Sequence, residues 1–113
     1  MKLFSLILSD IRRAYGNARI ISVAKAVVNP SILACILVRL CSRSGYTYHI
    51  WRLVSVVTFG VDVAKGAVIG SGLKLPHPSG IVIGRGVVID SNVTLYQGVT
   101  LGAHRGRYPK IES

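Results

Sequence analysis

The chain has 113 residues, half of them hydrophobic and 16% charged, which limits it to one domain with an appendage and excludes a disordered segment. Its formal net charge is +10, from 14 Lys and Arg against Asp10, Asp62, Asp90 and Glu112. That balance raises nucleic acid or an anionic membrane as a partner. No nucleic-acid motif accompanies the basic residues and no aromatics interleave with them, so nucleic acid is set aside.

Residues 1–60 read as helical. Eight of the basic residues fall here, singly or as the Arg12-Arg13 pair, and a solvated helical face accounts for them. A membrane-surface anchor built on these helices is the lesser alternative. Met1 to Leu8 begins like a signal peptide, but the apolar run stops at Asp10 with no small-residue cleavage site after it. The run from Ala26 to Val38 is interrupted by Asn29, Pro30 and Ser31, too short and too polar to span a bilayer. The expectation is a cytoplasmic protein.

Leu3, Leu6, Ile7 and Ile11 form one apolar stripe. Asn29-Pro30 predicts a helix start, since Asn caps free amides and Pro fits the first turn. From there Ile32, Leu33, Ile36, Leu37 and Leu40 predict the buried face, with Arg39 and Arg43 on its flank and a stop at Gly45. Cys35 and Cys41 fall on different faces of this helix, with neither a metal spacing nor a disulfide framework. A last helix, roughly Tyr46 to Phe59, is predicted to bury Ile50, Leu53, Val54 and Val57 and to end at Gly60.

After Gly60 the composition turns to β-branched residues and glycines. Val63, Ile69, Leu75, Ile81, Val87, Val93 and Val99 recur at every sixth position, which fits neither a helix nor an alternating strand. A fixed period of six with Gly, Ser, Asp or Asn at the corners predicts a parallel β-helix, each hexad giving one strand and one turn. Three hexads close one coil on this reading, so positions 61–113 make a little over two coils. A meander of short antiparallel strands is the rival.

Acid–base chemistry has few places to sit. His77 lies in the hexad LPHPSG between Pro76 and Pro78, in a turn, and Asp62 opens the coil two and a half hexads before it. The two belong to successive levels. A carboxylate that accepts from one ring nitrogen orients an imidazole whose other nitrogen can take a proton from a hydroxyl. Equally, His77 reads as an exposed turn residue and Asp62 as a strand-entry cap. His104 is a fallback base.

The stretches GVDVAKGAVIGSGLKLPHPSGIVIG, LYQGVTLG and RYPKI resemble the serine acetyltransferases of the hexapeptide-repeat superfamily, closely over Phe59 to Ile111 and more loosely before. In that family a Val-Asp pair opens the coil and a His-x-x-Gly-Ile-Val sequence follows the Asp at the same separation as here. The resemblance implies a left-handed coil, against the usual right-handed crossover. It also implies His77 as general base, Asp62 as its partner and acetyl-CoA as co-substrate, with no metal. Gln97 and Arg107 follow the serine enzymes and would contact the acceptor. Related enzymes place their active sites between subunits of a trimer, so a homotrimer or larger assembly is expected.

Three departures qualify the resemblance. Pro76 stands where serine acetyltransferases usually carry an Asp for the substrate ammonium. Arg107-Tyr108 replaces their Arg-His pair, so Arg107 can still grip a carboxylate but Tyr108 offers no such charge. Ala64-Lys65 replaces the His-Pro that normally follows the opening pair. L-serine stays the first choice of acceptor, with cysteine biosynthesis as the setting. A sugar hydroxyl is the alternative, suiting a neutral pocket lined by Tyr108 and Pro76, and an inactive assembly subunit is a further one. In the family, further hexads follow the Lys-Ile matched by Lys110-Ile111 and build much of the acetyl-CoA groove, so the coil is expected to be incomplete at the C-terminus.

Overall fold

The structure, a computed structural model, describes residues 2–103 and 105–113. Four helices come first: α1 (Leu3–Tyr15), α2 (Ile20–Ala26), α3 (Pro30–Arg43) and α4 (Tyr48–Phe59). Six two-residue strands follow: β1 (Asp62–Val63), β2 (Val68–Ile69), β3 (Val82–Ile83), β4 (Val88–Ile89), β5 (Thr100–Leu101) and β6 (Lys110–Ile111). All pairings are parallel, with β1-β3-β5 forming one wall and β2-β4-β6 a second. A lone parallel bridge between Lys74 and Thr94 marks the third. The result is a triangular coil of two full turns and two walls of a third.

Asn29 behaves as its chemistry requires, accepting from the Ser31 amide at 3.0 Å with Pro30 in the first turn. Gly60 ends α4 in the left-handed region at φ 67°, a conformation costly for any residue with a Cβ.

The first turn of the coil is longer than the expected three hexads. Val82 pairs with Thr100, which is that interval, but Asp62 pairs with Val82 and Val68 with Val88, each two positions further on. The two extra residues sit in the corner around His77. Each wall buries a pair of side chains: Val61 and Val63, Ala67 and Ile69, Leu73 and Leu75, then Ile81 and Ile83 after the corner. The six-residue tally therefore follows the second of each pair before His77 and the first of each pair after it. Because side chains in a strand alternate with a period of two, a shift of two keeps every aliphatic inside.

Helices and coil share one core, from Ala34, Cys35, Val38 and Cys41 of α3 to the inward residues of the coil. Helix α3 is the hub, and this corrects its expected face. Leu33, Ile36, Leu37 and Leu40 are only partly buried, whereas Ala34, Cys35, Val38 and Cys41 are fully enclosed. Small side chains let α3 lie close against the coil, and neighbours on both sides bury both cysteines.

Arg39, expected on the flank, is wholly buried. Its Nε and Nη2 donate to the two carboxylate oxygens of Asp10 at 2.9 and 2.7 Å, and it also donates to the Ile69 and Gly70 carbonyls. Asp10 accepts in addition from the Leu73 amide at 2.8 Å. One ion pair thus ties α1, α3 and the first turn of the coil together. Arg13 adds a second tie, donating to the carbonyls of Gly72 and Val93 on successive levels and to the Thr94 hydroxyl.

Helix α4 also reverses its expected face. Ile50, Leu53, Val54 and Val57 are exposed, and the buried residues are Tyr48 and Ser55. The Tyr48 and Ser55 hydroxyls donate to the Val63 and Val61 carbonyls, both at 2.8 Å. Those carbonyls belong to the opening of the coil, which no earlier level covers. Buried backbone oxygens need donors, and the hydroxyl-bearing side of α4 supplies them.

Candidate active site at the opening wall of the coil

Glycines 60, 80 and 98 stack on one corner: a Cβ at Gly60 would touch Gly80, and one at Gly80 would touch Gly98. The loop 76–80 bearing His77 leads into this corner. The Gly98 amide donates to the Ser79 carbonyl at 2.9 Å, which sets Gln97 one level along from the His77 loop. Asp62 lies two residues beyond Gly60 on the adjoining wall. His77 and Gln97 are exposed and Pro76 is half-buried. Among the described residues no hydrogen bond or ion pair holds His77.

Asp62 is engaged elsewhere. Arg52 of α4 grips it with two parallel bonds, Nε to Oδ1 at 2.8 Å and Nη2 to Oδ2 at 3.0 Å. Those bonds hold the Asp62 carboxyl below its ordinary range, against a smaller opposing push from partial burial. Two open clefts meet at this pair. One is lined by His49, Arg52, Leu53, Val56 and Asp62; the other runs from Tyr48 and Asp62 along Val82 to Gly84. Arg52 was missed by sequence reasoning. The available signal was the stripe Tyr48, Arg52, Ser55 and Phe59, spaced as one helix face, which a search for aliphatic spacing passes over.

Arg107 and Tyr108 occupy the next corner of the same wall. The Tyr108 ring lies over Gly84 and Gly86: a Cβ at Gly84 would come within 2.9 Å of the ring, and one at Gly86 would run into it. Only glycine permits that approach. An open cleft of ≈ 440 Å³ beside it is lined by Thr100, Leu101, Gly102, Arg107, Tyr108 and Pro109. The single chain therefore gathers Asp62 and Arg52 on the wall, His77 and Gln97 at one corner, and Arg107 and Tyr108 at the other. It does not close them into one pocket. Asp90 belongs to neither corner; its carboxylate accepts from the adjacent Ser91 amide, so it caps its own turn. His104 lies outside the described residues. Among those described, no three His, Cys, Asp or Glu side chains converge as metal ligands would.

Arranged this way, the surface offers a solvent-accessible imidazole, an oriented carboxylate and an exposed guanidinium, groups that suit acyl transfer to a hydroxyl. No family model matches the chain. A serine acetyltransferase from Staphylococcus xylosus is 46% identical over 71 residues, covering 57% of this chain and 33% of that protein. In fold, a serine acetyltransferase from Neisseria gonorrhoeae in complex with serine matches 96% of this chain at a TM-score of 0.79 and 26% identity, using 48% of its own length. A serine acetyltransferase in complex with CoA matches 97% at 0.77 and 25% identity, using 49% of its length. The chain thus spans a third of the curated relative and about half of the solved enzymes. Over that span the chain is similar to serine acetyltransferases, in sequence across the left-handed coil and in fold throughout.

Proposed function

We propose that the protein is an O-acetyltransferase that moves the acetyl group of acetyl-CoA to the hydroxyl of L-serine, giving O-acetylserine for cysteine biosynthesis. The observation that carries this reading is the Asp62 and His77 pair at its family spacing, Asp62 on the opening wall and His77 in the corner loop that leads into the next level of that wall. His77 takes the proton from the serine hydroxyl as its oxygen attacks the thioester carbonyl carbon. The tetrahedral intermediate then collapses, the C–S bond breaks, and the CoA sulfur leaves with the proton held on the imidazole. Asp62 orients His77. A carboxylate offers about four lone-pair sites, so the two bonds from Arg52 leave room for an imidazole N–H. Arg107 receives the serine carboxylate, with Gln97 beside the base.

Self-association belongs to the same reading. The clefts at Asp62 are open and walled by exposed Leu53, Val56 and Val82, and none of the clefts joins His77 to Arg107. A neighbouring copy in a trimer would cover those side chains and bring an Arg107 to a His77. The cytoplasm, which holds acetyl-CoA and keeps thiols reduced, is the compartment this reading requires.

A sugar hydroxyl is the second reading, favoured by Tyr108: its ring stands half-exposed on Gly84 and Gly86 as a flat, uncharged platform. Free-thiol release from acetyl-CoA, measured in parallel with L-serine and with sugars on an active preparation, separates the two. Release with a sugar and none with serine overturns the first reading. Pro76→Asp, which restores an acceptor for the serine ammonium, is expected to raise turnover with serine.

A further inference from the structure

Helix α2 is inside out. Its buried residues are Ser22 and Ala26, while Ile20 and Ile21 and, just past its end, Val27 and Val28 project from the opposite side, at 88%, 70%, 66% and 79% exposure. At 3.6 residues per turn those four share one outward face. Phe4 of α1 is 70% exposed beside it, and an apolar cleft between the helices is lined by Phe4, Ile7, Leu8, Val23, Val27 and Ile36 among others. An exposed apolar patch of this kind marks a contact surface.

Charge identifies what it contacts. The only carboxylate before Asp62 is Asp10, and it is buried against Arg39. The exposed charges around α1 and α2 are therefore all positive: Lys2, Arg12, Arg19 and Lys25. Two copies meeting face to face through this patch would set cation against cation. An anionic lipid surface complements both the aliphatic face and its basic rim. No single described helix is long and apolar enough to cross a membrane, and in the one bent pair that approaches this, α2 and α3 meeting at 85°, α3 is packed inside the protein. The geometry suits lying on a bilayer.

We infer that the α1–α2 face docks on an anionic bilayer surface, with Phe4, Ile20, Ile21, Val27 and Val28 among the acyl chains and Lys2, Arg12, Arg19 and Lys25 against lipid phosphates. The docking is independent of the proposed acetyl transfer. The test is co-sedimentation of the full chain with vesicles of phosphatidylcholine alone and with roughly three parts phosphatidylglycerol to seven of phosphatidylcholine. Retention is expected only on the anionic vesicles. It should fall roughly fivefold for each of Arg19→Gln and Lys25→Gln and disappear in Ile21→Glu/Val28→Glu. In a Trp51→Phe background, Ile21→Trp should shift its emission to the blue on the same vesicles. This second readout does not depend on the double variant folding. No retention, or retention with no blue shift, overturns the inference. So does a concentration-dependent dimer, seen by light scattering without lipid, that Ile21→Glu/Val28→Glu abolishes, because the face is then an interface between copies.

Discussion

Arg52 and Asp62 face each other across the junction between the last helix and the first strand, joined by two near-parallel hydrogen bonds of 2.8 and 3.0 Å. The carboxylate that the family resemblance assigns to His77 is thus already held in its ionised form by a side chain of the preceding helix. With its pKa lowered by folding, Asp62 adds stability above the ordinary carboxylate pKa and loses that contribution as pH falls through the lowered value. Arg52→Ala should return the Asp62 titration, followed by carboxyl carbon NMR, upward toward the ordinary range. An unchanged titration would show that Arg52 is not the cause. Both side chains are well exposed, so the change in overall stability should be small.

The Asp10–Arg39 pair should behave differently. It is enclosed by protein, and removing one partner strands a charge together with the Leu73 amide or the Ile69 and Gly70 carbonyls. Asp10→Ala or Arg39→Ala should each cost about 3–5 kcal/mol in urea unfolding. The two losses should be far from additive in the double variant, because each single change already removes the same interaction. Additive losses would refute the coupling.

For catalysis, His77→Ala in an active preparation should lower turnover by about 10²–10⁴-fold, the usual cost of removing a general base. His104→Ala should leave turnover nearly intact. The reverse ranking would move the base to the loop before Arg107.

The thiols should be inert. Burial pushes Cys35 up to about 12 and Cys41 up to about 11, and both are enclosed between α3 and its neighbours. The thiolate is the reactive form, so a thiol reagent near neutral pH should label neither in the folded protein and both after unfolding. Rapid labelling of the folded protein would contradict the buried position of α3.

The coil, the capped start of α3, the stop of α4 and the placing of Asp62 at the coil's entrance were legible because each rests on local chemistry: a period of six, Asn29 before Pro30, Gly60 after Phe59. Which side of each helix faces inward was not. Arg39 reads as a solvated flank until Asp10, far earlier in the chain, is brought against it. Ile50, Leu53, Val54 and Val57 read as core until the uncovered carbonyls of Val61 and Val63 call for the hydroxyls on the other side. In both cases a long-range polar requirement outweighed an aliphatic stripe. At the site, Gln97 was named through the resemblance alone, and the structure sets it one level along from the His77 loop. The seat of Tyr108 on Gly84 and Gly86 depends on how the loop after Leu101 folds back, which no repeat dictates.

The two surplus residues around His77 separate what supports the protein from what equips it. A coil of three hexads closes without them, as the β3 to β5 interval demonstrates. Deleting Pro78 and Ser79 would restore that interval while every inward side chain kept its place. His77 is thus mounted on chain that the scaffold does not need. Such a corner is free to change length and composition between one acceptor and another while the wall beneath it stays as it is, and the walls and the chemistry can diverge at different rates.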